Sequence, residues 1–325
     1  MTKRFISLFL LTLLISWFSG QDSHAQPLQE VKLASSGLSA VAGPFWVAKE
    51  GGHFRKLGLD LQIIYIPGGT RVAMVLLAGQ VQLGWTGSGS AISAIGSGGD
   101  LVMIMSLMPT LPWHIVAAPE VRSMKDLAGK KIGIASYGDT TDYAVRFALT
   151  KAGLDPEKDV ALVQVGGPPT RLAALKGTAV PATVLGVPES LEAEKIGYRL
   201  LADLQALGFK YDYGTIAVTR RLVREQGDML RGFVRGYVSG IHHFKRDKEF
   251  SVKVMSRYLK GADPSSLQAA YEYYKKVLPV YPYVTQEGTE PVLQSLKPKR
   301  PTLAAVKLAD MIDNSFVAAV EKESK

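Results

Sequence analysis

The chain has no cysteine, and its 325 residues include only five histidines. The missing cysteines exclude disulfide bonds, cysteine-ligated zinc and thiol nucleophiles. A chain of this length can bury a large core and does not need disulfides. No histidine pair has the spacing of a metal motif such as His-Glu-x-x-His, and no Gly-x-Ser-x-Gly elbow occurs. We therefore expect no metal and no enzymatic activity.

Nucleotide-binding motifs are also missing. Gly87-Ser88-Gly89 resembles part of a dinucleotide-binding fingerprint, but the third glycine is not at the required spacing. No acidic residue ends the following predicted strand, and no phosphate-binding loop that ends in Gly-Lys-Ser or Gly-Lys-Thr is present. The sequence therefore predicts no cofactor.

Long apolar runs are confined to the N-terminus. An apolar run covers residues 5–18 after two basic residues, and it is too short to span a bilayer comfortably. Ser23 and Ala25 supply small residues at the −3 and −1 positions of a cleavage site. We interpret residues 1–25 as a signal peptide cleaved near Ala25, with an uncleaved anchor helix as the alternative. An exported protein without an anchor would diffuse away from a cell with one membrane, so we expect the periplasm.

The formal net charge is +9, and no concentrated basic segment carries it. Basic residues recur along 122–131, 220–260 and 297–300, without the interleaved aromatic residues of a nucleic-acid-binding stripe. We expect a solvated basic surface and no nucleic-acid partner. The alternative is a mild positive field that attracts an anionic solute.

Two stretches of the chain recur at an offset of about 100 residues, which is too long for a solenoid repeat. Leu33-Ala34-Ser35-Ser36-Gly37 returns as Ile134-Ala135-Ser136-Tyr137-Gly138. Gly68-Gly69-Thr70-Arg71 returns as Gly166-Gly167-Pro168-Pro169-Thr170-Arg171. The repeat indicates two similar lobes that face each other across a cleft. Ser36 of the first copy is replaced by Tyr137 in the second, and Asp139 occurs only there, so we expect ligand selectivity where the copies differ.

Strand-like and helix-like patterns alternate in both copies. The predicted strands cover 31–35, 59–66, 81–86 and 101–107 in the first copy, and 131–135, 160–165, 182–185 and 198–202 in the second. This alternation predicts an α/β fold in which each lobe is a mostly parallel sheet flanked by helices. A short strand is predicted over 215–219, and beyond it the pattern is helical, with a last amphipathic helix over 303–320.

The chain is expected to cross between the lobes twice, near 108–119 and 209–217, which makes a two-crossing hinge. Lobe one then comprises residues 26–115 and 216–325, including the C-terminal helices. Lobe two comprises residues 116–215.

Glycine and hydroxyl residues follow the predicted strands at equivalent points of both lobes. The loops are Ser35–Gly37, Gly68–Thr70 and Thr86–Ser90 in lobe one, and Ser136–Thr141, Gly166-Gly167 and Gly186–Glu189 in lobe two. Ligands of open α/β sheets bind beyond the carboxyl ends of the strands. Free N–H groups at helix N-termini favour an anion there. The sequence therefore predicts a small-molecule site lined by both sets of loops.

Two carboxyl groups belong to these loops. Asp139 and Glu189 could carry out acid–base chemistry in the cleft. The favoured interpretation is structural, because Asp139 suits the N-cap of the following helix and Glu189 suits a first helical turn.

Four stretches resemble the substrate-binding proteins of ABC importers, in the group that includes sulfonate, nitrate and thiamine-precursor binders. They are residues 45–59, 77–90, 126–133 and 175–188, and the similarity covers about residues 31 to 245. The resemblance implies a two-lobed periplasmic binding protein of the type II fold. Such a protein closes on its ligand and delivers it to a permease in the inner membrane.

Site residues follow from the resemblance by position. The implied contacts are Ser36, Gly69, Thr70, Gly87 and Ser88 in lobe one, and Ser136, Thr140, Thr141 and Pro188 in lobe two, with Phe45 and Trp113 as walls. Ser35, Gly37, Tyr137, Asp139 and Glu189 complete the candidate set through the loops described above. Pro181 stands where relatives often carry an acidic residue. Asp139 adds negative charge to the site, which leaves room for a neutral or zwitterionic ligand.

We therefore expect a monomer that captures a small polar or anionic organic ligand of the sulfonate, nitrate, pyrimidine or aromatic-acid class. One alternative is an enzyme on the same fold, similar to pyrimidine synthases or menaquinone-pathway dehydratases. The pyrimidine synthases depend on a cysteine-rich motif that this chain lacks. The other alternative is a solute receptor for a sensor kinase.

Overall fold

Two mixed sheets flanked by helices build the protein, and its computed structural model describes residues 27–325. The predicted signal peptide, residues 1–25, and its cleavage site lie outside the described residues. Within residues 27–325, none of the helices combines the length and the apolar character needed to cross a membrane.

The strands are short and mostly apolar. They are β1 (Gln29–Ser35), β2 (Leu59–Tyr65), β3 (Leu83–Trp85), β4 (Leu101–Met105), β5 (Met108–Thr110), β6 (Trp113–Ala117), β7 (Lys131–Ile134), β8 (Ala161–Gln164), β9 (Ala182–Gly186), β10 (Arg199–Asp203), β11 (Lys210–Tyr213) and β12 (Ile216–Thr219). Every residue of β4 and β9 is buried. Such continuous apolar strands are typical of a sheet that is covered on both faces.

Helices follow most of these strands. They are α1 (Gly43–Glu50), α2 (Gly69–Leu77), α3 (Ser88–Gly96), α4 (Thr140–Lys151), α5 (Pro168–Lys176), α6 (Glu189–Lys195), α7 (Arg220–Glu225), α8 (Gly227–Arg246), α9 (Lys248–Tyr258), α10 (Pro264–Val277), α11 (Gln286–Leu296) and α12 (Ser315–Glu323).

The two sheets have equivalent topologies. The first has the strand order β2-β1-β3-β12-β4, and the second, in the corresponding direction, β8-β7-β9-β6-β10. β1 is parallel to β2 and β3, whereas β12 is antiparallel to β3 and β4. Likewise, β7 is parallel to β8 and β9, whereas β6 is antiparallel to β9 and β10. One strand of each sheet therefore runs against the others, and the predicted mostly parallel α/β sheets are confirmed.

We call the first sheet with its helices lobe one, and the second sheet with its helices lobe two. β5 and β11 pair with each other in a separate antiparallel ribbon between the lobes. β5 directly precedes β6, and β11 directly precedes β12. β6 and β12 are the antiparallel strands of their sheets. β6 begins at Trp113, so it spans the expected boundary between residues 115 and 116.

The C-terminal segment differs from its prediction. The expected helix over 303–320 is wrong, because only α12 is helical there, and two 3-10 turns lie at Pro301–Leu303 and Leu308–Met311. Ile312 instead forms a parallel bridge with Met103 of β4, and the N–H of Asp313 donates to the carbonyl of Met103 at 2.8 Å. This pairing requires extended backbone and therefore interrupts the helix.

Candidate functional site

A partly enclosed cavity lies between the two lobes, beyond the carboxyl ends of β1, β2, β3, β7 and β8. It comprises about 450 Å³ of empty space, part of it open to solvent, and about 40 Å³ can be reached by the centre of a water molecule. One water needs roughly 10–15 Å³ measured in this way. The cavity therefore has room for a small group. Its lining residues are Ser36, Gly37, Gly69, Trp85, Thr86, Gly87, Trp113, Ala135, Asp139, Thr140, Thr141, Gly167, Pro168, Arg171 and Tyr213.

Four helices begin at the cavity. The residues before their first turns are Gly68 for α2, Gly87 for α3, Asp139 for α4 and Gly167 for α5. Each helix directs the positive end of its dipole towards the same space, which favours negative charge. Gly68 and Gly87 have φ angles of 90° and 79°, a backbone conformation that glycine adopts without steric cost.

Arg171 is the cationic side chain of this cavity, and it is only 2% exposed. Its Nε donates to the carbonyl of Val184 at 3.0 Å, and Nη1 donates to the carbonyl of Gly166 at 2.7 Å. Among residues 27–325, no carboxylate oxygen lies within the 4.0 Å limit of an ion pair with Arg171. Burial lowers the pKa of this guanidinium, and the more distant Asp139 and Glu189 oppose that shift. A buried cation without a direct counter-ion is costly, so an anion in the cavity would stabilise it.

Asp139 is the N-cap of α4, as the structural interpretation predicted. Its Oδ1 accepts hydrogen bonds from the backbone N–H of Thr141 at 2.8 Å, from the Thr141 hydroxyl at 2.6 Å and from the N–H of Asp142 at 3.2 Å. Burial raises the pKa of this carboxyl, and these hydrogen bonds oppose the shift. The capping bonds explain why a buried carboxylate is tolerated here.

Glu189 lies in the first turn of α6, again as the structural interpretation predicted. Together with Pro188 it lines a second groove, which Pro169 and Leu259 also border. Its Oε2 is buried and has no hydrogen-bond partner among the described residues. Burial raises the pKa of Glu189 to about 7. Neither Glu189 nor Pro188 lines the central cavity, so their predicted role as ligand contacts stays a prediction.

Three aromatic side chains line the cavity as well. Tyr213 packs edge-on against Trp113, with ring centroids 4.9 Å apart, and against Trp85 at 6.3 Å. The three rings come from different elements, namely β3, β6 and β11. They give the cavity an apolar part besides its polar helix termini.

The structure brings together half of the predicted site residues. Those that line the cavity are Ser36, Gly37, Gly69, Gly87, Trp113, Asp139, Thr140 and Thr141. Two others lie beside it. The Ser35 hydroxyl is buried and donates to the carbonyl of Gly37 at 2.7 Å. Ser88, the first residue of α3, is also buried.

Three predicted contacts are placed elsewhere. Phe45 lies in the core of lobe one, 1% exposed, where it packs against Phe233 and Tyr237 and forms no wall of the cavity. Thr70 is exposed and lines a separate surface cavity with Met74. Tyr137 is 52% exposed, because its hydroxyl turns outward and donates to the carbonyl of Leu162 at 2.7 Å.

The lobes touch each other around the cavity, and glycines make the close approach possible. A Cβ atom on Gly87 would lie 2.5 Å from Oγ1 of Thr140 in the opposite lobe. A Cβ atom on Gly68 would clash with the hydroxyl oxygen of Ser136, at 2.1 Å. Real Cβ atoms are not found so close to other heavy atoms, so a larger residue at these positions would push the lobes apart. Ser136 thus lies at the contact between the lobes.

Sequence reasoning missed Arg171, Trp85 and Tyr213. In the sequence, Arg171 stands out only as part of the repeated Thr-Arg pair. Its counterpart in the first copy, Arg71, is exposed. Its position within the helix is the signal that could have identified it. Arg171 is the fourth residue of α5, and the fourth residue of α2 is the fully buried Val72.

Comparisons with known proteins agree with this architecture. The NMT1/THI5-like family matches residues 40–249. The nitrate/nitrite-binding protein NrtA of Nostoc sp. PCC 7120 is 30% identical over 200 residues, which are 49% of this chain and 42% of NrtA. The chain thus spans less than half the length of the curated relatives matched first.

Solved structures match almost the whole chain. The alkanesulfonate-binding protein SsuA of Xanthomonas axonopodis pv. citri, bound to MOPS, has a TM-score of 0.71 at 20% identity, over 87% of this chain and 98% of SsuA. The periplasmic aliphatic sulphonate-binding protein SsuA of Escherichia coli has a TM-score of 0.70 at 20% identity, over 88% and 92%. These likenesses identify the periplasmic binding protein fold. With the family match over residues 40–249, they establish that this chain belongs to the NMT1/THI5-like family.

Proposed function

We propose that the protein is the periplasmic solute-binding component of an ABC importer and that its cleft captures a small anion. The observation that carries the proposal is Arg171, a buried cation at the cavity without a carboxylate in ion-pair range among the described residues. The four helix N-termini add to the same positive field.

The geometry favours an oxyanion head group, such as a sulfonate, a carboxylate or nitrate. Two guanidinium N–H groups already bind backbone carbonyls, which fixes the plane of the side chain and leaves Nη2 for the ligand. The aromatic side of Trp85, Trp113 and Tyr213 suits the apolar remainder of a small organic anion. Sulfonate and nitrate binding by named relatives is consistent with this class of ligand.

The remaining proposals concern the cellular setting. We propose that residues 1–25 direct export to the periplasm, that the mature chain acts as a monomer, and that a permease in the inner membrane receives the ligand. Lobe one, residues 26–115 and 216–325, and lobe two, residues 116–215, would move as the two closing bodies.

A thermal-shift screen of residues 26–325 tests the ligand class. The screen covers nitrate, methanesulfonate, ethanesulfonate, acetate and benzoate, with uncharged pyrimidines and glycine for comparison. An anion at 100 times its dissociation constant should stabilise the fold by about 2.7 kcal/mol. Stabilisation by the neutral compounds alone would contradict the anion proposal. Chemical conversion of a bound compound, followed by NMR, would instead favour the enzyme alternative.

A further inference from the structure

The hydroxyl group of Tyr211 joins both lobes from the second crossing strand, β11. Its oxygen accepts a hydrogen bond from the backbone N–H of Gly89 at 3.0 Å and lies 2.9 Å from Oγ1 of Thr140. Gly89 belongs to the first turn of α3 in lobe one, and Thr140 begins α4 in lobe two. Because the hydroxyl accepts from Gly89, its own hydrogen is available to Thr140.

The ring of Tyr211 is held firmly in this position. The residue is fully buried, and its ring stacks on Phe209 with centroids 5.6 Å apart and lies 5.7 Å from the ring of Tyr143. The next residue, Asp212, ties the strand to α11, because its Oδ2 accepts from the N–H of Thr285 at 2.9 Å and from the Thr289 hydroxyl at 2.6 Å. The Tyr211 hydroxyl therefore needs little reorganisation to reach both lobes.

Tyr211 itself does not line the cavity, but its partner Thr140 does. Tyr213, two residues along the same strand, forms part of the aromatic side. β11 thus presents one tyrosine to the enclosed space and one to the seam between the lobes.

We propose that Tyr211 is the latch of the closed state, a positioning residue that holds the lobes around the ligand without contacting it. The inference rests on the proposed function. In the open protein the hydroxyl of Thr140 would bind water, so closure exchanges that bond for one to an oxygen that Gly89 and the ties of β11 to α11 already hold in place. Replacement of Tyr211 by phenylalanine removes that oxygen and keeps the ring.

The distance between the lobes provides a direct test of the latch. Because the chain has no cysteine, M74C on lobe one and I196C on lobe two can be spin-labelled specifically; both side chains are largely exposed. Pulsed dipolar spectroscopy on this labelled parent and on its Y211F variant gives the two distance distributions. We expect Y211F to lose the short, closed distances. Identical distributions in the parent and in Y211F, with and without 100 mM methanesulfonate, would overturn the latch.

Two further variants separate a latch from a general loss of packing. Y237F is the matched control, because the Tyr237 hydroxyl is buried in lobe one and has no partner among the described residues. Its distances should equal those of the parent. T140V removes the other hydroxyl at nearly constant shape and should reproduce Y211F, whereas T140S should restore closure. A double variant Y211F/T140V no more open than either single variant indicates one shared interaction.

Affinity supplies the second readout. Calorimetric titration with methanesulfonate and with nitrate should show binding to Y211F that is about tenfold weaker than to the parent, the equivalent of about 1.4 kcal/mol. If the parent binds neither anion, the proposed sulfonate and nitrate ligands fail, while the distances still decide the latch. If Y211F opens the lobes but binds the anions as tightly as the parent does, the hydroxyl has no part in capture and the latch proposal is overturned.

Discussion

The two lobes share one strand order but bring different chemistry to the cleft. Lobe one contributes small uncharged residues and Trp85, whereas lobe two contributes both charged residues of the lining, Arg171 and Asp139. Duplication of an α/β unit explains the common frame. Helix N-termini from both lobes face the cavity, so the lobes differ in their charged side chains and not in their helix dipoles.

The repeated Thr-Arg pair shows how the difference arises. Arg71 is the third residue of α2, whereas Arg171 is the fourth residue of α5, because Pro168 and Pro169 precede the second pair in the helix. One residue turns a helix by about 100°. Arg71 is therefore exposed, whereas Arg171 occupies the buried helix position that Val72 occupies in lobe one. Proline at the first helical positions is well tolerated, so the change of register costs little.

Replacement of Arg171, the buried arginine of lobe two, should cause the largest loss of anion affinity. We expect R171Q to weaken methanesulfonate or nitrate binding about 100-fold, because a charge-assisted hydrogen bond in a desolvated site is lost. Isothermal calorimetry measures the change. The matched control is R71Q, whose parent side chain is exposed at the equivalent pair, and its affinity should stay within about twofold of the parent. Equal losses in the two variants would show that general positive charge, not position, attracts the ligand.

The close approach of the lobes gives the second prediction. G87A should weaken anion binding by about tenfold, because the new Cβ atom would meet Oγ1 of Thr140 and hold the cleft open. G98A is the control, since Gly98 also has a positive φ angle, 88°, but a Cβ atom there would meet nothing within 4 Å. Both variants carry the backbone strain of alanine in this region. If they bind anions equally well, contact between the lobes at Gly87 does not limit closure.

The smallest expected effect concerns folding stability and comes from Glu189 in lobe two. Burial raises its pKa from 4.5 to about 7. The folded protein therefore binds this proton more tightly than the unfolded chain does, so folding stability falls as pH rises from about 4.5 to about 7 and then levels off. Between pH 6 and pH 8, the parent should lose about 1 kcal/mol relative to E189Q. Urea unfolding of both proteins across this range measures the difference, and parallel pH profiles would contradict it.

The order of the strands and helices could be predicted from the sequence, because its apolar periodicity is strong. Strands such as β1 and β2 begin and end within two residues of their predicted limits. α11 was not predicted, because Pro291 lies inside it and removes one helical hydrogen bond. β11 was not predicted either, since Lys-Tyr-Asp-Tyr is a polar segment whose burial depends on tertiary contacts.

The candidate site was predictable only where local rules apply. Loops of glycine and serine at strand ends are visible in sequence, and so is the N-cap position of Asp139. Tyr213 and Trp85 reach the cavity through the relative placement of β11 and β3, which no local pattern encodes. The same limit explains why the sequence did not show that Phe45 lies in the core. Its aromatic neighbours, Phe233 and Tyr237, come from α8, far along the chain.

The position of β12 has a consequence for the order in which the molecule can fold. All strands of the second sheet lie in one continuous stretch, residues 113–203, so that half can assemble as soon as this stretch is available. The first sheet is different, because β12 sits between β3 and β4 and is separated from them by the whole of lobe two. Until residues 216–219 arrive, β3 and β4 have unpaired edges towards each other. Such long-range pairing is slow, and open edges invite intermolecular association. During vectorial emergence of the chain, the N-terminal half is thus the last to be completed.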